Sequence, residues 1–252
     1  MLEIKDVSLS LGDEKNHVEI LKNINFTFEN KNLYVITGPN GGGKSSLAKI
    51  IMGIYKPREG QILLDGMDIT DFDITERANL GIGYSFQQPP RFKGIKVREL
   101  LRLASGGFDD ETGMCKLLHD VGLCSQDYID REIDSSLSGG ELKRIEIATI
   151  MAKKLKVAVF DEPEAGIDLW SFQKLSETFK DLHENYDTTI IIISHQERIL
   201  SLADQIILLA DGKIKEITNK EKIMADITEN TRDCMCGRDC GKGANRNVEC
   251  IG

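Results

Sequence analysis

Residues Gly38 to Ser46 read "GPNGGGKSS" and fit the pattern G-x-x-x-x-G-K-[ST]. An apolar run, "NLYVIT", precedes them and a helix-like run, "KSSLAKIIMGI", follows. Gly38, Pro39, Asn40, Gly41, Gly42 and Gly43 supply a loop whose backbone N–H groups can turn inward around a phosphate. Lys44 adds a positive charge for the terminal phosphates, reinforced by the helix dipole. Ser45 offers a hydroxyl to Mg²⁺, with Ser46 beside it.

A second stretch, "KVAVFDEP", is an apolar strand ending in two acids. Asp161, at the strand's end, is placed to hold Mg²⁺ directly or through water. Glu162, one residue further, can polarise a water for in-line attack on a γ-phosphate. A strand ending in acids is common alone; paired with the loop at Gly38 it points to Mg²⁺-dependent ATP hydrolysis.

The third motif is "SLSGGELKR". A Ser-Gly-Gly turn opening a helix presents free N–H groups, the Ser138 hydroxyl and a helix dipole, all suited to an anionic phosphate. It resembles the signature of the ABC ATPases. The resemblance covers roughly residues 1 to 225 and implies an α/β fold: a P-loop NTPase with a RecA-like core, an antiparallel β lobe and a helical subdomain. It also implies a head-to-tail homodimer, in which Ser138, Gly139 and Gly140 of one copy complete the ATP site of the other. By the same resemblance Gln87 in "YSFQQPP" touches Mg²⁺ and the attacking water. Asp168 in "EAGID" crosses the dimer interface, and His195 in "IIISHQ" contacts the γ-phosphate. Where the family carries an aromatic residue to stack on adenine, this chain has Leu11, and Val18 is the aliphatic substitute expected.

Within the superfamily, "ERANLGIGYSFQQPP", "SGGELKRIEI", "EAGIDLWSF" and "SHQERIL" are similar to the SufC family, the soluble ATPases of SUF iron–sulfur cluster assembly. Glu146, Gly166 and Arg198 favour that likeness, which implies a SufB/SufD-like scaffold as partner. Pro163 is instead common in transporter ATPases, so the ATP-binding subunit of a membrane transporter is the alternative.

Around these motifs the elements alternate as the fold requires. "LEIKDVSLSL" and "VEILKNINFTF" show period-two alternation and predict an antiparallel lead-in. "REGQILLDG" and "LGIGYSF" each hold a strand, and "DQIILLADGKIKEI" predicts a closing hairpin at Asp-Gly. A helix is expected from Gly140, and another from about 169 to 184, before the strand "TTIIIIS". Between Pro89 and Ser136 two helical stretches predict a helical subdomain over 89–136, inserted between core segments 1–88 and 137–228. Residues 229–252 form a Cys-rich tail without apolar periodicity.

With 252 residues, 40% of them apolar and 29% charged, the chain can bury a large core. A net charge of -9 argues against an electrostatic grip on nucleic acid. Met1 to Ser10 lacks the basic-then-apolar build of a signal peptide. The run Ile190 to Ile193 is too short to span a bilayer. A cytoplasmic location without direct membrane insertion is therefore expected, and there thiols stay reduced. Cys115 and Cys124 are expected as buried small hydrophobes of the helical subdomain. Cys234, Cys236, Cys240 and Cys250, spaced C-x-C-x₃-C-x₉-C, could wrap Zn²⁺ or an iron–sulfur cluster, or belong to a tail with exposed thiols.

Overall fold

Period-two alternation produces β1 (Leu2–Leu11) and β2 (Val18–Phe28), which pair antiparallel from Leu2↔Phe28 to Leu11↔Val18. The computed structural model describes residues 1–12, 17–107, 110–153, 155–185 and 187–219. The four tail cysteines lie outside the described residues. Cys115 is half-buried and Cys124, just ahead of a short helix, is exposed, so neither is the buried hydrophobe expected.

The buried strand β3 (Leu33–Thr37) leads through the Gly-rich loop into α1 (Lys44–Met52). Next come β4 (Glu59–Leu64), β5 (Met67–Asp68), α2 (Ile74–Asn79) and β6 (Ile82–Ser85). Residues 89–136 carry β7 (Phe92–Lys96), α3 (Val97–Ala104), α4 (Glu111–Asp120), α5 (Ser125–Tyr128) and β8 (Glu132–Ile133). The chain continues with α6 (Gly139–Met151), β9 (Val157–Asp161), α7 (Leu169–Asn185), β10 (Thr189–Ile193), α8 (Glu197–Leu200), β11 (Gln205–Ala210) and β12 (Lys213–Thr218).

These strands form an antiparallel lobe in the order β2-β1-β4-β5 and a main sheet in the order β12-β11-β3-β10-β9-β6. All neighbours in the main sheet run parallel except β12, which returns through Asp211-Gly212. Both turn residues have positive φ, 53° and 74°, as a tight Asp-Gly hairpin demands.

The parallel strands read as near-continuous Val/Ile/Leu because both faces are covered. Ile190 and Ile192 enter the core shared with α3, α4, α6 and α7, while Ile191 and Ile193 enter the core shared with α1 and the antiparallel lobe. Leu33/Val35 against Tyr34/Ile36 divide in the same way.

Arg77 of α2 is buried at 1% exposure, yet its guanidinium is satisfied by carbonyls alone. It donates to Ile50 and Ile51 at 2.7 and 2.9 Å, to Thr70 at 2.9 Å and to Phe72 at 3.1 Å. Two of those carbonyls belong to the last turn of α1, so Arg77 caps the helix that begins at the phosphate loop.

Candidate active site

Sheet order decides which motifs meet. The carboxyl ends of β3, β10, β9 and β6 lie side by side. The register sets Ile193 level with both Ile36 and Asp161, and Ser85 level with Phe160. The phosphate loop follows β3, His195 follows β10, Asp161 ends β9 with Glu162 just after it, and Gln87 follows β6. Four distant segments of sequence therefore converge on one edge, as expected for a parallel α/β sheet.

A pocket of about 420 Å³ opens there, lined by Asn40, Gly41, Lys44, Ser45, Gln87 and Glu162, with Gly43, Ser46 and Ile20 around them. Glycine is required at Gly38: its φ is 135°, and a Cβ would lie 2.1 Å from the Leu209 carbonyl oxygen. Lys44 Nζ donates to the carbonyls of Gly38 at 2.7 Å and Pro39 at 3.0 Å, which folds the loop around the ammonium. Burial pulls the Lys44 pKa down, and the nearby carboxylates of Glu162 and Asp161 oppose that shift. A phosphate would supply further negative charge at the same point.

Ser45 Oγ donates to Asp161 Oδ1 at 3.0 Å, and Tyr84 Oη donates to Oδ2 at 2.9 Å. Burial, then the Asp161 charge, pushes the Tyr84 phenol well up, so it stays a donor. A hydroxyl beside a buried carboxylate is a hard-oxygen donor set of the kind Mg²⁺ takes, and the pairing fits that ion.

Glu162 has a φ of 46°, unusual for a side chain of that size, and its N–H donates to Ile193 O at 3.0 Å. That turn aims its carboxylate at Gln87, whose Nε2 donates to Glu162 Oε2 at 2.7 Å. His195 is exposed, with Nδ1 3.4 Å from Thr37 Oγ1 at the end of β3.

The signature residues form a second cluster, outside the pocket lining. Ser138 caps α6: its Oγ accepts from Glu141 N at 3.2 Å, and its own N–H donates to Glu141 Oε2 at 2.7 Å. The helix starts at Gly139, one residue before the expected Gly140. Gly140 packs so closely that a Cβ would sit 2.8 Å from Gly166 O, joining the signature turn to the segment that carries Asp168. Asp168 caps α7, accepting from Trp170 N at 3.1 Å, Ser171 N at 3.0 Å and Ser171 Oγ at 2.6 Å. Ser138, Gly139 and Asp168 are exposed and available to another molecule.

Val18 does not line the pocket. It sits at the exposed start of β2, opposite Leu11, whereas Ile20 reaches the lining. The ladder steps from Leu9↔Leu21 to Ser10↔Glu19, so Ile20 occupies a bulge that re-aims it.

Two interior groupings go beyond the roles that the motifs implied. Lys143 Nζ pairs with Glu146 Oε2 at 3.4 Å, the two side chains 1% and 11% exposed. Lys143 also donates to the carbonyls of Phe86 and, at 3.5 Å, Asp161. Glu146 accepts from Ser85 Oγ at 2.6 Å and from Phe86 N at 2.8 Å. Burial pushes the Glu146 carboxyl up and the Lys143 ammonium down, while each favours the other's charge. The available signal was a Lys and a Glu one turn apart among apolar positions of α6. Tyr84 carried none beyond its aromatic ring.

Strand order, phosphate loop and acid-tipped β9 define a P-loop nucleoside triphosphatase with an added antiparallel lobe. The chain belongs to the ABC transporter family, whose model matches residues 21–165, and its enzyme class is that of an ABC-type ATPase. It is 39% identical over 222 residues to an uncharacterized ABC transporter ATP-binding protein of Methanocaldococcus jannaschii, covering 85% of this chain and 87% of the relative. It is 33% identical over 216 residues to a probable ATP-dependent transporter, ycf16, of Cyanidium caldarium, covering 80% of this chain and 85% of the relative. Among solved structures, a dimeric bacterial ABC transporter cassette superposes with a TM-score of 0.79 at 23% identity, over 87% of this chain and 99% of the cassette. The same cassette in a post-hydrolysis state bound to ADP and Pi superposes equally well. A bacterial Atm1-family exporter with ATP bound gives 0.77 at 23% identity, over 96% of this chain and 42% of the exporter. Among the described residues no helix is long and apolar enough to cross a membrane.

Proposed function

We propose that the chain is the ATP-hydrolysing subunit of a membrane transporter, working as a head-to-tail homodimer with two ATP molecules at its interface. Residues 38–46 wrap the phosphates, with Lys44 on the β- and γ-phosphates. Ser45, Asp161 and Gln87 would hold Mg²⁺. When bound, the ion neutralises charge on the β- and γ-phosphate oxygens. Glu162 takes a proton from the attacking water, whose oxygen bonds to the γ-phosphorus as the bond to the ADP oxygen breaks. Gln87 and His195 orient the water and the γ-phosphate. The Ser138 hydroxyl and the N–H groups of Gly139 and Gly140 of the second copy face the same phosphate, and Asp168 links the two copies. The helical subdomain, 89–136, levers the partner as the sandwich opens and closes.

The observation that carries the transporter reading is an apolar groove of about 270 Å³ beside the glutamine loop. Tyr84, Phe86, Phe92, Leu100, Leu142 and Ile145 line it, and Phe86 and Phe92 remain 41% and 38% exposed. A short amphipathic helix from a permease fits such a groove. The names of the relatives support the same partner class.

A second reading, a soluble SUF motor acting on a SufB/SufD-like scaffold, draws on Glu146, Gly166 and Arg198. Zn²⁺ or an iron–sulfur cluster on Cys234, Cys236, Cys240 and Cys250 belongs with that reading. Affinity purification of tagged protein separates the two. The transporter reading expects a polytopic membrane protein that is retained by wild type and lost with Phe92→Glu. Recovery of a soluble β-helical scaffold instead would overturn it.

A further inference from the structure

The Lys143–Glu146 pair stands apart from the phosphate-binding machinery, yet it is the most deeply buried ion pair among the described residues. Burying two charges is costly unless every lone pair and proton finds a partner. Here the satisfying partners come from three elements. Glu146 takes the Ser85 hydroxyl and the Phe86 N–H from the end of β6 and the residue after it. Lys143 takes the Phe86 carbonyl and the Asp161 carbonyl at the end of β9. The peptide units on both sides of Phe86 are therefore fastened to α6, and Gln87 is the next residue.

The same helix begins at Ser138, Gly139 and Gly140. We propose that Glu146 and Lys143 are positioning residues that make the glutamine loop and the signature turn move as one body. Phe86 is also a wall of the apolar groove. Displacement of Phe86 by a docked helix would shift Gln87 relative to Glu162 and carry the N-terminus of α6 with it. Neither residue of the pair touches nucleotide in this scheme. Their effect passes through Gln87, on the water, and through the Ser138 turn, on the second copy's ATP. The inference rests on the roles given above to Gln87 and Ser138.

The test must separate positioning from folding. Replacing a buried ion pair by apolar residues of similar volume generally preserves stability. The double substitution Lys143→Met/Glu146→Leu should thus fold, with a lowered melting temperature from the Ser85 and Phe86 groups it leaves unpaired, while losing the link to both residues. Expected is a fall in kcat of tenfold or more, with KM for Mg-ATP changed by less than about threefold. A stable double variant with wild-type kcat overturns the proposal. Ser85→Ala carries the same test if the double variant does not fold. It removes one hydroxyl donor to Glu146 and should lower kcat severalfold at unchanged KM; a wild-type kcat there also counts against the pair.

Gln87→Ala is measured alongside. If it is impaired while the clamp variants are not, only the clamp fails. If Gln87→Ala itself turns over normally, the role assigned to Gln87 fails first. Adding Gln87→Ala to the double variant should cost less than the product of the separate losses, because both act through one side chain. Fully multiplicative losses would contradict a shared route.

Discussion

Gln87 Nε2 lies 2.7 Å from Glu162 Oε2, bridging the loop after β6 and the end of β9 across the mouth of the phosphate pocket. The contact joins the residue proposed to respond to a docked partner to the carboxylate proposed as the base. Its donor is an amide N–H, so the bond passes no proton to the carboxylate. By the proposal above, moving Phe86 moves the amide and alters how the carboxylate is aimed.

Glu162→Gln removes the proton acceptor without touching Lys44, Ser45 or the loop backbone. ATP binding should persist while turnover falls by about 10²–10⁴, the span typical of lost general-base catalysis. Size-exclusion chromatography with Mg-ATP should then show a trapped dimer. Turnover at the wild-type rate would show that Glu162 has been miscast.

Lys44→Ala and Ser138→Arg should fail for different reasons. Lys44 sits in its own chain's pocket, and its loss should abolish nucleotide binding. Ser138 is exposed at the start of α6, outside that pocket, so Ser138→Arg should bind nucleotide yet block hydrolysis. Mixing the two inactive proteins should restore part of the activity through one intact composite site. Equal loss of nucleotide affinity in both would contradict the head-to-tail arrangement.

What the sequence made legible follows from how local each feature is. The phosphate loop, Asp161 with Glu162, and the Ser138 turn are each set by a few contiguous residues, so type and spacing sufficed. The strands of the main sheet were equally plain, because burial on both faces leaves runs such as "TTIIIIS". α2 was announced by Asp73 and Glu76, a reciprocal cap confirmed at 2.8 Å in both directions, but its single short turn and a half gave no periodicity to read. Tyr84 with Asp161, and Glu146 with Ser85, are 77 and 61 positions apart and meet only because β6 neighbours β9 and α6 packs beside them. No local pattern encodes such pairings. Val18 and Ile20 share one face under unbroken alternation, so the pattern could not rank them; only the bulge at Ile20 re-aims that residue into the lining.

Arg77 supplies a stability test remote from the chemistry. Its guanidinium meets four carbonyls, and truncation to Met leaves that of Ile51 open at the end of α1, where Ile50 O keeps only the Gly53 N–H. Arg77→Met should cost about 2–4 kcal/mol in urea unfolding, in line with other losses of a buried hydrogen-bonded group. Arg77→Lys should recover only part, since one ammonium cannot span the fork of contacts. A loss below about 0.5 kcal/mol, the range of ordinary surface changes, would mean that the cap is dispensable.

The signature helix should also carry an acid-sensitive contribution. The Tyr128 hydroxyl donates to Glu141 Oε1, and the Ser138 N–H donates to its other oxygen. The Tyr128 bond is the largest cause holding the Glu141 carboxyl at about 2, against an ordinary 4.5, while partial burial works the other way. A depressed native pKa means that the stabilisation is complete above the unfolded value of 4.5 and is lost as pH falls from there toward about 2. Tyr128→Phe removes that bond while keeping the ring that stacks under Arg131, 5.1 Å from its centre. The stability gap between wild type and Tyr128→Phe, measured by urea unfolding, should therefore be wider at pH 6 than at pH 3. Because Glu141 also caps Ser138, the variant should weaken the ATP-dependent dimer of Glu162→Gln at neutral pH without altering nucleotide affinity of the monomer. A gap that widens on acidification would show that the Tyr128–Glu141 contact favours the protonated carboxyl, the reverse of the sign derived from its geometry.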